Sequence, residues 1–136
     1  MIVIDQLSMI TPGKMPGAYE RATEISNRLR RLALDLHVPI VVACQINRRG
    51  SQTTNTSATL NDLRDSGCIE NDAASVLILG KTKPAKDTSA GELVQTLPVS
   101  VAKNRYGEAT PTNNPIRLVW RPEWCRIDDP GSGAVG

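Results

Sequence analysis

The sequence predicts an α/β fold with parallel core strands and an antiparallel hairpin toward its carboxyl end. Three observations predict it. Two apolar runs, Met1-Ile2-Val3-Ile4 and Val38-Pro39-Ile40-Val41-Val42-Ala43-Cys44, each end on one polar residue, Asp5 and Gln45. Between them lies a helical period, and a strand–helix–strand succession makes a parallel pair with a right-handed crossover. Further on, the segments from Leu93 to Ala102 and from Ile116 to Trp120 pair most simply as a hairpin, with 103–115 as its tip.

The first run begins with no lead-in. This sets the expectation that the chain is an excised piece of something larger. Thr11 to Gly17, punctuated by Pro12, Gly13, Pro16 and Gly17, predicts a mobile loop with one cation, Lys14. From Ala18 to His37 the apolar residues Ala22, Ile25, Leu29, Leu32, Ala33 and Leu36 recur every three or four positions. Glu20, Arg21, Glu24, Arg28, Arg30 and Arg31 fall on the other side, so the segment is an amphipathic helix. Pro39 blocks its continuation. The run to Cys44 lacks polar alternation, as expected of a strand buried on both faces of a parallel sheet. Residues 46–62 predict a long loop, and loops of that length in compact domains are commonly functional or disordered. A short helix broken near Ser66-Gly67 follows over 60–74. Ser75 to Leu79 predicts another buried core strand, and 80–91 a polar turn region. Pro98 favours an edge or a bulge for the next strand, and the tail from Asp128 to Gly136 is expected to be disordered.

The 136 residues suit one core, with 127 residues in the folded portion and 128–136 as tail. Aromatics make up only 3% and Phe is absent, so the core is aliphatic. A net charge of +2 does not argue for nucleic acid by itself; only its location can. No apolar run approaches the ~20 residues of a membrane span, and the start is not a signal peptide. Cys44, Cys68 and Cys125 are widely spaced and His37 is the single histidine, which excludes an ordinary zinc site. The cysteines are expected to be small buried residues in a reducing cytoplasm.

Several residues could carry chemistry. A carboxylate at a strand end, as at Asp5, can hold a metal-bound water beside a nucleotide phosphate; many buried strands also end in Asp without that role. Gln45, at the equivalent height on the next strand, can bond a terminal phosphate oxygen or the attacking water, or simply nearby backbone. Open parallel sheets bind ligands beyond their carboxyl edge, which favours the functional reading of the pair. Arg64 and the backbone near Gly67 suit either a solvated helix start or a loop tracking phosphates. Lys103 and Arg105 are either solubilising charges or a finger reaching a neighbouring subunit's nucleotide. Gly80-Lys81-Thr82 is not a phosphate-cradling loop, because that pattern needs a glycine at position 75, where Ser75 stands, and Pro84 prevents the helix that must follow.

Ile2 to Asp5, Glu24-Ile25-Ser26, Leu29 to Ala33, Cys44 to Arg48, Leu63 to Ala73 and Ala102 to Gly107 occur in an order that resembles the RecA-like motor domain of DnaB-type replicative helicases, over residues 1–127. The Leu63–Glu70 block and the Lys-x-Arg-x-Gly block at 103–107 are specific to that family, whereas the Asp5 strand is general among RecA-like ATPases. The resemblance implies a partial three-layer sandwich of the P-loop NTPase type. It implies Asp5 as the Walker-B acid acting on Mg2+ through water, and Gln45 as the sensor linking nucleotide state to DNA. It implies 11–17 and 46–67 as loops facing single-stranded DNA, with Lys14, Arg48, Arg49, Arg64, Asp65 and Gly67 as contacts. Lys103 and Arg105 would reach the ATP of the adjacent subunit in a hexameric ring, which moves 5'-3' and takes a primase or a helicase loader as partner.

The chain departs from the family in three ways. The Walker-A strand and loop and the segment carrying the catalytic glutamate are missing, and Gln6 stands where an aromatic is usual. An isolated chain without the phosphate cradle is expected to be inactive, and the open edge of strand 38–44 is expected to self-associate. Two other readings are a recombinase or clock-type ATPase and a nonenzymatic module that binds single-stranded nucleic acid.

Overall fold

The computed structural model describes residues 1–11, 13, 17–45, 67–84, 94–110 and 114–130. They fall into two compact units that meet in sequence at Ala73 and Ala74.

In the first unit, β1 (Ile2–Ile4) pairs in parallel with β2 (Ile40–Val42), in the register Ile2 to Ile40, Val3 to Val41 and Ile4 to Val42. The crossover between them is α1 (Ala18–Leu36), as the apolar period requires. Its first turn carries Glu20, which suits the positive end of the helix dipole. His37 adopts the left-handed conformation (φ 53°). Its N–H donates to Leu34 O and the Val38 N–H to Ala33 O, which closes the helix as a Schellman motif directly before Pro39. Ile25 and Ser26 are the buried residues of α1, and the helix packs against α2 (Gly67–Asp72).

The second unit is antiparallel throughout. Its strands are β3 (Ser75–Leu79), β4 (Lys83–Pro84), β5 (Gln95–Asn104), β6 (Ile116–Arg121) and β7 (Arg126–Asp128), in the order β3-β5-β6-β7, with β4 also on β5. Its buried apolar residues are Ile78, Leu97 and Val99, so the core is aliphatic as composition requires. The expected hairpin is present, with Gln95 opposite Trp120 and Val99 opposite Ile116.

Several expectations are corrected. The strand from Val38 to Gln45 is not buried on both faces: Val41 is 51% exposed and its cross-strand partner Val3 63%. Among the described residues β1 and β2 pair only with each other, so the outward row of this parallel pair lies open. Leu77 and Leu79 on β3 are likewise exposed, because β3 pairs antiparallel with β5 and the described residues leave one of its faces uncovered. Leu32 and Leu36, placed on the apolar side of α1, are exposed: the buried residues of α1 are Ile25 and Ser26, earlier in the helix.

Pro98 lies in an interior strand, not at an edge. It is tolerated because it sits opposite Gly80, one residue beyond β3, where Gly80 N–H donates to Pro98 O at 2.8 Å and no return donor is needed. The hairpin tip starts later than expected, since Lys103 and Asn104 still pair with Val76 and Ser75. Asp128 does not begin a disordered tail: it closes β7, accepting from Arg121 Nε at 3.2 Å and Arg126 Nε at 2.5 Å. Residues 131–136 lie outside the described residues. Cys125 is exposed, because it occupies a tight left-handed turn (φ 47°) between β6 and β7. Cys44 is half-buried, and Cys68 belongs to α2.

Candidate functional site

Asp5 follows the last residue of β1, and Gln45 stands three residues past β2. The strands are parallel neighbours, so both residues emerge at the same, carboxyl, end of the pair. Backbone pairing continues past the strands and holds this end in place. Ala43 N–H donates to Ile4 O and Leu7 N–H to Ala43 O, both at 2.9 Å. The chain then turns through a short 3-10 segment, Leu7–Met9. The Asp5–Gln6 peptide is cis. Both side chains are exposed and therefore open to a ligand beyond the strand ends. Directly before Gln45, Cys44 has its thiol pKa pushed up by burial, which keeps it protonated and unreactive.

Asp5 fits a divalent cation only in one way. Among the described residues no group of three or more His, Cys, Asp or Glu side chains gathers to form a cage. A lone exposed carboxylate suits Mg2+, which retains most of its water shell. The fit for a nucleotide's phosphates is partial. Gly80 has given its N–H to Pro98 O, and β4 begins at Lys83 instead of a helix, so Gly80-Lys81-Thr82 makes no cradle.

Lys103 and Arg105 lie in the second unit. Lys103 is half-buried on β5, and Arg105 is exposed in the turn that follows. Arg105 N–H donates to Ala74 O at 2.8 Å, fixing the start of that turn. Asn104, which sequence reasoning passed over, organises the rest. Its Oδ1 accepts from Ser75 Oγ and from Tyr106 N–H, and its Nδ2 donates to Glu108 O, each at 3.3 Å. An Asn directly before a Gly-containing turn is the sequence signal that could have found it.

A second overlooked group is at the end of α2. Asp72 accepts from buried Ser26 Oγ at 2.7 Å and pairs with Arg30 at 3.4 Å. Lys14, Arg48, Arg49, Arg64 and Asp65 lie outside the described residues, and Gly67 is the first residue of α2.

Residues 1–129 match the family model described as the DnaB-like helicase C terminal domain. The chain is 37% identical over 132 residues to the replicative DNA helicase DnaB of Leifsonia xyli subsp. xyli, covering 95% of this chain and 27% of that protein. It is 35% identical over 112 residues to a probable plasmid replicative DNA helicase of Chlamydia muridarum, covering 82% of this chain and 23% of that one. The chain thus spans about a quarter of the length of these relatives. Among solved structures, a DnaB-like replicative helicase studied for its interactions with primase superposes with a TM-score of 0.76 at 25% identity, over 93% of this chain and 30% of that one. A second solved structure, an ATPase domain, superposes with a TM-score of 0.74 at 24% identity, over 93% of this chain and 43% of that one, which shows a shared fold. The family match, over nearly the whole sequence, decides against the recombinase or clock-type alternative. The chain belongs to the DnaB-like helicase C-terminal domain family.

Proposed function

We propose that this chain supplies part of the motor of a replicative DNA helicase, in which a hexameric ring of RecA-like, three-layer domains couples ATP hydrolysis to 5'-3' movement on single-stranded DNA. The observation that carries this reading is the shared position of Asp5 and Gln45 at the carboxyl end of neighbouring parallel strands. Asp5 would orient a water of the Mg2+ shell beside the terminal phosphates. Gln45 would bond a phosphate oxygen or the attacking water, and would pass the loss of that bond to the residues after it. Lys103 near the end of β5 and Arg105 in the turn after it would neutralise charge on the phosphoryl group of an adjacent subunit's ATP, the effect that an arginine supplied in trans provides.

In this reading Lys14, Arg48, Arg49 and Arg64 hold the phosphates of single-stranded DNA, with Asp65 and Gly67 beside them. A primase or a helicase loader is the partner of the assembled ring, which works in the cytoplasm; no described helix is long and apolar enough to cross a membrane.

The 136 residues contain no phosphate-cradling loop, so the isolated chain should release no phosphate from ATP at an ordinary enzyme rate. The positive test is a chimaera in which residues 1–129 replace the matching segment of the Leifsonia helicase. The chimaera should hydrolyse ATP, and Asp5→Asn, Gln45→Ala and Arg105→Ala should each lower its turnover at least about a hundredfold. Mixing Arg105→Ala subunits with Asp5→Asn subunits should restore part of the activity, as expected for a residue acting in trans. Full turnover in the Asp5→Asn chimaera would refute the assignment.

A further inference from the structure

The turn that carries Arg105 also presents an aromatic ring. Tyr106 is 83% exposed, in a chain with two Tyr, two Trp and no Phe. Its position is fixed from several sides. Asn104 Oδ1 accepts the Tyr106 N–H, the Asn104 amide also bonds Ser75 and Glu108, and Arg105 N–H is anchored on Ala74 O. A Cβ on Gly107 would lie 2.9 Å from Asn104 Nδ2, so glycine is needed there for the amide to keep its place. The backbone of this turn is therefore ordered before any ligand arrives, and a tyrosine ring has few rotamers to lose on contact. An exposed ring immediately beside a cation is the chemistry that recognises a nucleotide, the cation meeting phosphate and the ring meeting the base.

We propose that Tyr106 stacks on the adenine of the ATP that Lys103 and Arg105 reach, so that this turn contacts base as well as phosphate. The inference rests on the trans-acting role of Lys103 and Arg105. Stacking on an exposed ring tolerates any base but requires one, and this separates it from a purely electrostatic finger.

The test is an NMR titration of the chimaeric ring described above, in which a neighbouring subunit supplies the phosphate cradle, with Mg-ATP and, separately, with inorganic tripolyphosphate. ATP should move the Tyr106 ring protons upfield and shift the Lys103 and Arg105 amides, whereas tripolyphosphate should shift only those amides. Tyr106→Ala should weaken ATP about tenfold while leaving tripolyphosphate unchanged, and Tyr106→Trp should retain ATP. Equal effects of both ligands, with the ring unmoved, would overturn the stacking proposal and leave the cationic finger standing. Amides of Lys103 and Arg105 that answer neither ligand would overturn the finger and the proposal built on it. A ring that responds to oligodeoxythymidine but not to ATP would overturn the assignment to a mononucleotide.

Discussion

Ser26 Oγ donates a 2.7 Å hydrogen bond to Asp72 Oδ2, joining a buried position of α1 to the last residue of α2. Ser26 is 7% exposed, so its hydroxyl has little access to water when that acceptor is removed. Ser26→Ala removes the donor but leaves Asp72 its Arg30 partner, and should cost about 1 kcal/mol. Asp72→Ala strands the hydroxyl and should cost about 1–3 kcal/mol. Urea unfolding of both single variants and the double variant gives the coupling, which should be non-additive because the two side chains touch. Strict additivity would mean the bond contributes nothing.

A methyl group at position 80 meets the Pro98 ring. A Cβ on Gly80 would lie 2.6 Å from Pro98 Cγ and 3.3 Å from Pro98 O. Gly80→Ala should therefore lower stability by about 1–3 kcal/mol through overpacking. Adding Pro98→Ala should recover part of that stability by removing the ring. A thermal midpoint unchanged in Gly80→Ala would show that the two segments can separate without penalty.

Asp128 holds the β6–β7 turn through two arginines of unequal burial. The side chain of Arg121 is 20% exposed and that of Arg126 is 60% exposed. Arg126→Ala should cost under about 1 kcal/mol, as exposed pairs do. Arg121→Ala should cost more, since Arg121 also lies over the Trp124 ring at 5.5 Å. Trp124 fluorescence followed through denaturant unfolding reports both, and equal effects would contradict the ranking.

Burial raises the thiol pKa of Cys44 above its ordinary 9.0. In the folded chain the charged form is disfavoured, so the stability linked to this group is fully present below pH 9.0 and declines as pH rises through the higher folded value. Thiol labelling near pH 8 should therefore reach exposed Cys125 well before half-buried Cys44. Mass spectrometry of tryptic peptides over time measures this, and simultaneous labelling would contradict the burial-driven shift.

The proposed DNA-binding residues predict a salt signature. Removing one phosphate-binding cation should reduce the slope of log affinity against log salt by about 0.7 on a single strand. Arg64→Ala should show that reduction in a fluorescence anisotropy titration with oligodeoxythymidine. Unchanged affinity and slope would strike Arg64 from the DNA-binding set.

Local patterns in the sequence located the elements whose signals are local. The three- and four-residue period and Pro39 placed α1 within one residue of its observed end, and the apolar run at 75–79 coincides with β3. The adjacency of Asp5 and Gln45 was legible because a strand–helix–strand succession allows one dominant geometry. What depended on neighbours was not legible. An unbroken apolar run says that a strand can be covered on both faces, not that it is, and Val3 and Val41 show the difference. A rule about donors assigned Pro98 to an edge or a bulge, yet an interior strand accommodates it where β3 has ended. Asp128 looked like the start of a polar tail because its partner Arg121 lies across a turn, and charge pairing of that kind has no period to detect.

β5 pairs with β3 and β4 along one side, and its first half, Gln95 to Val99, pairs with β6 on the other. That half of β5 has strand neighbours on both sides, whereas β1 and β2 have one strand neighbour each among the described residues. In deuterated solvent the centre of β5, from Leu97 to Val101, should be the last part of the molecule to give up its protons, and Val3 and Val41 among the first strand residues to do so. The strand beneath the Arg105–Tyr106 turn should then be the slowest to open among the described residues, and whatever the turn touches would meet a surface that does not give way.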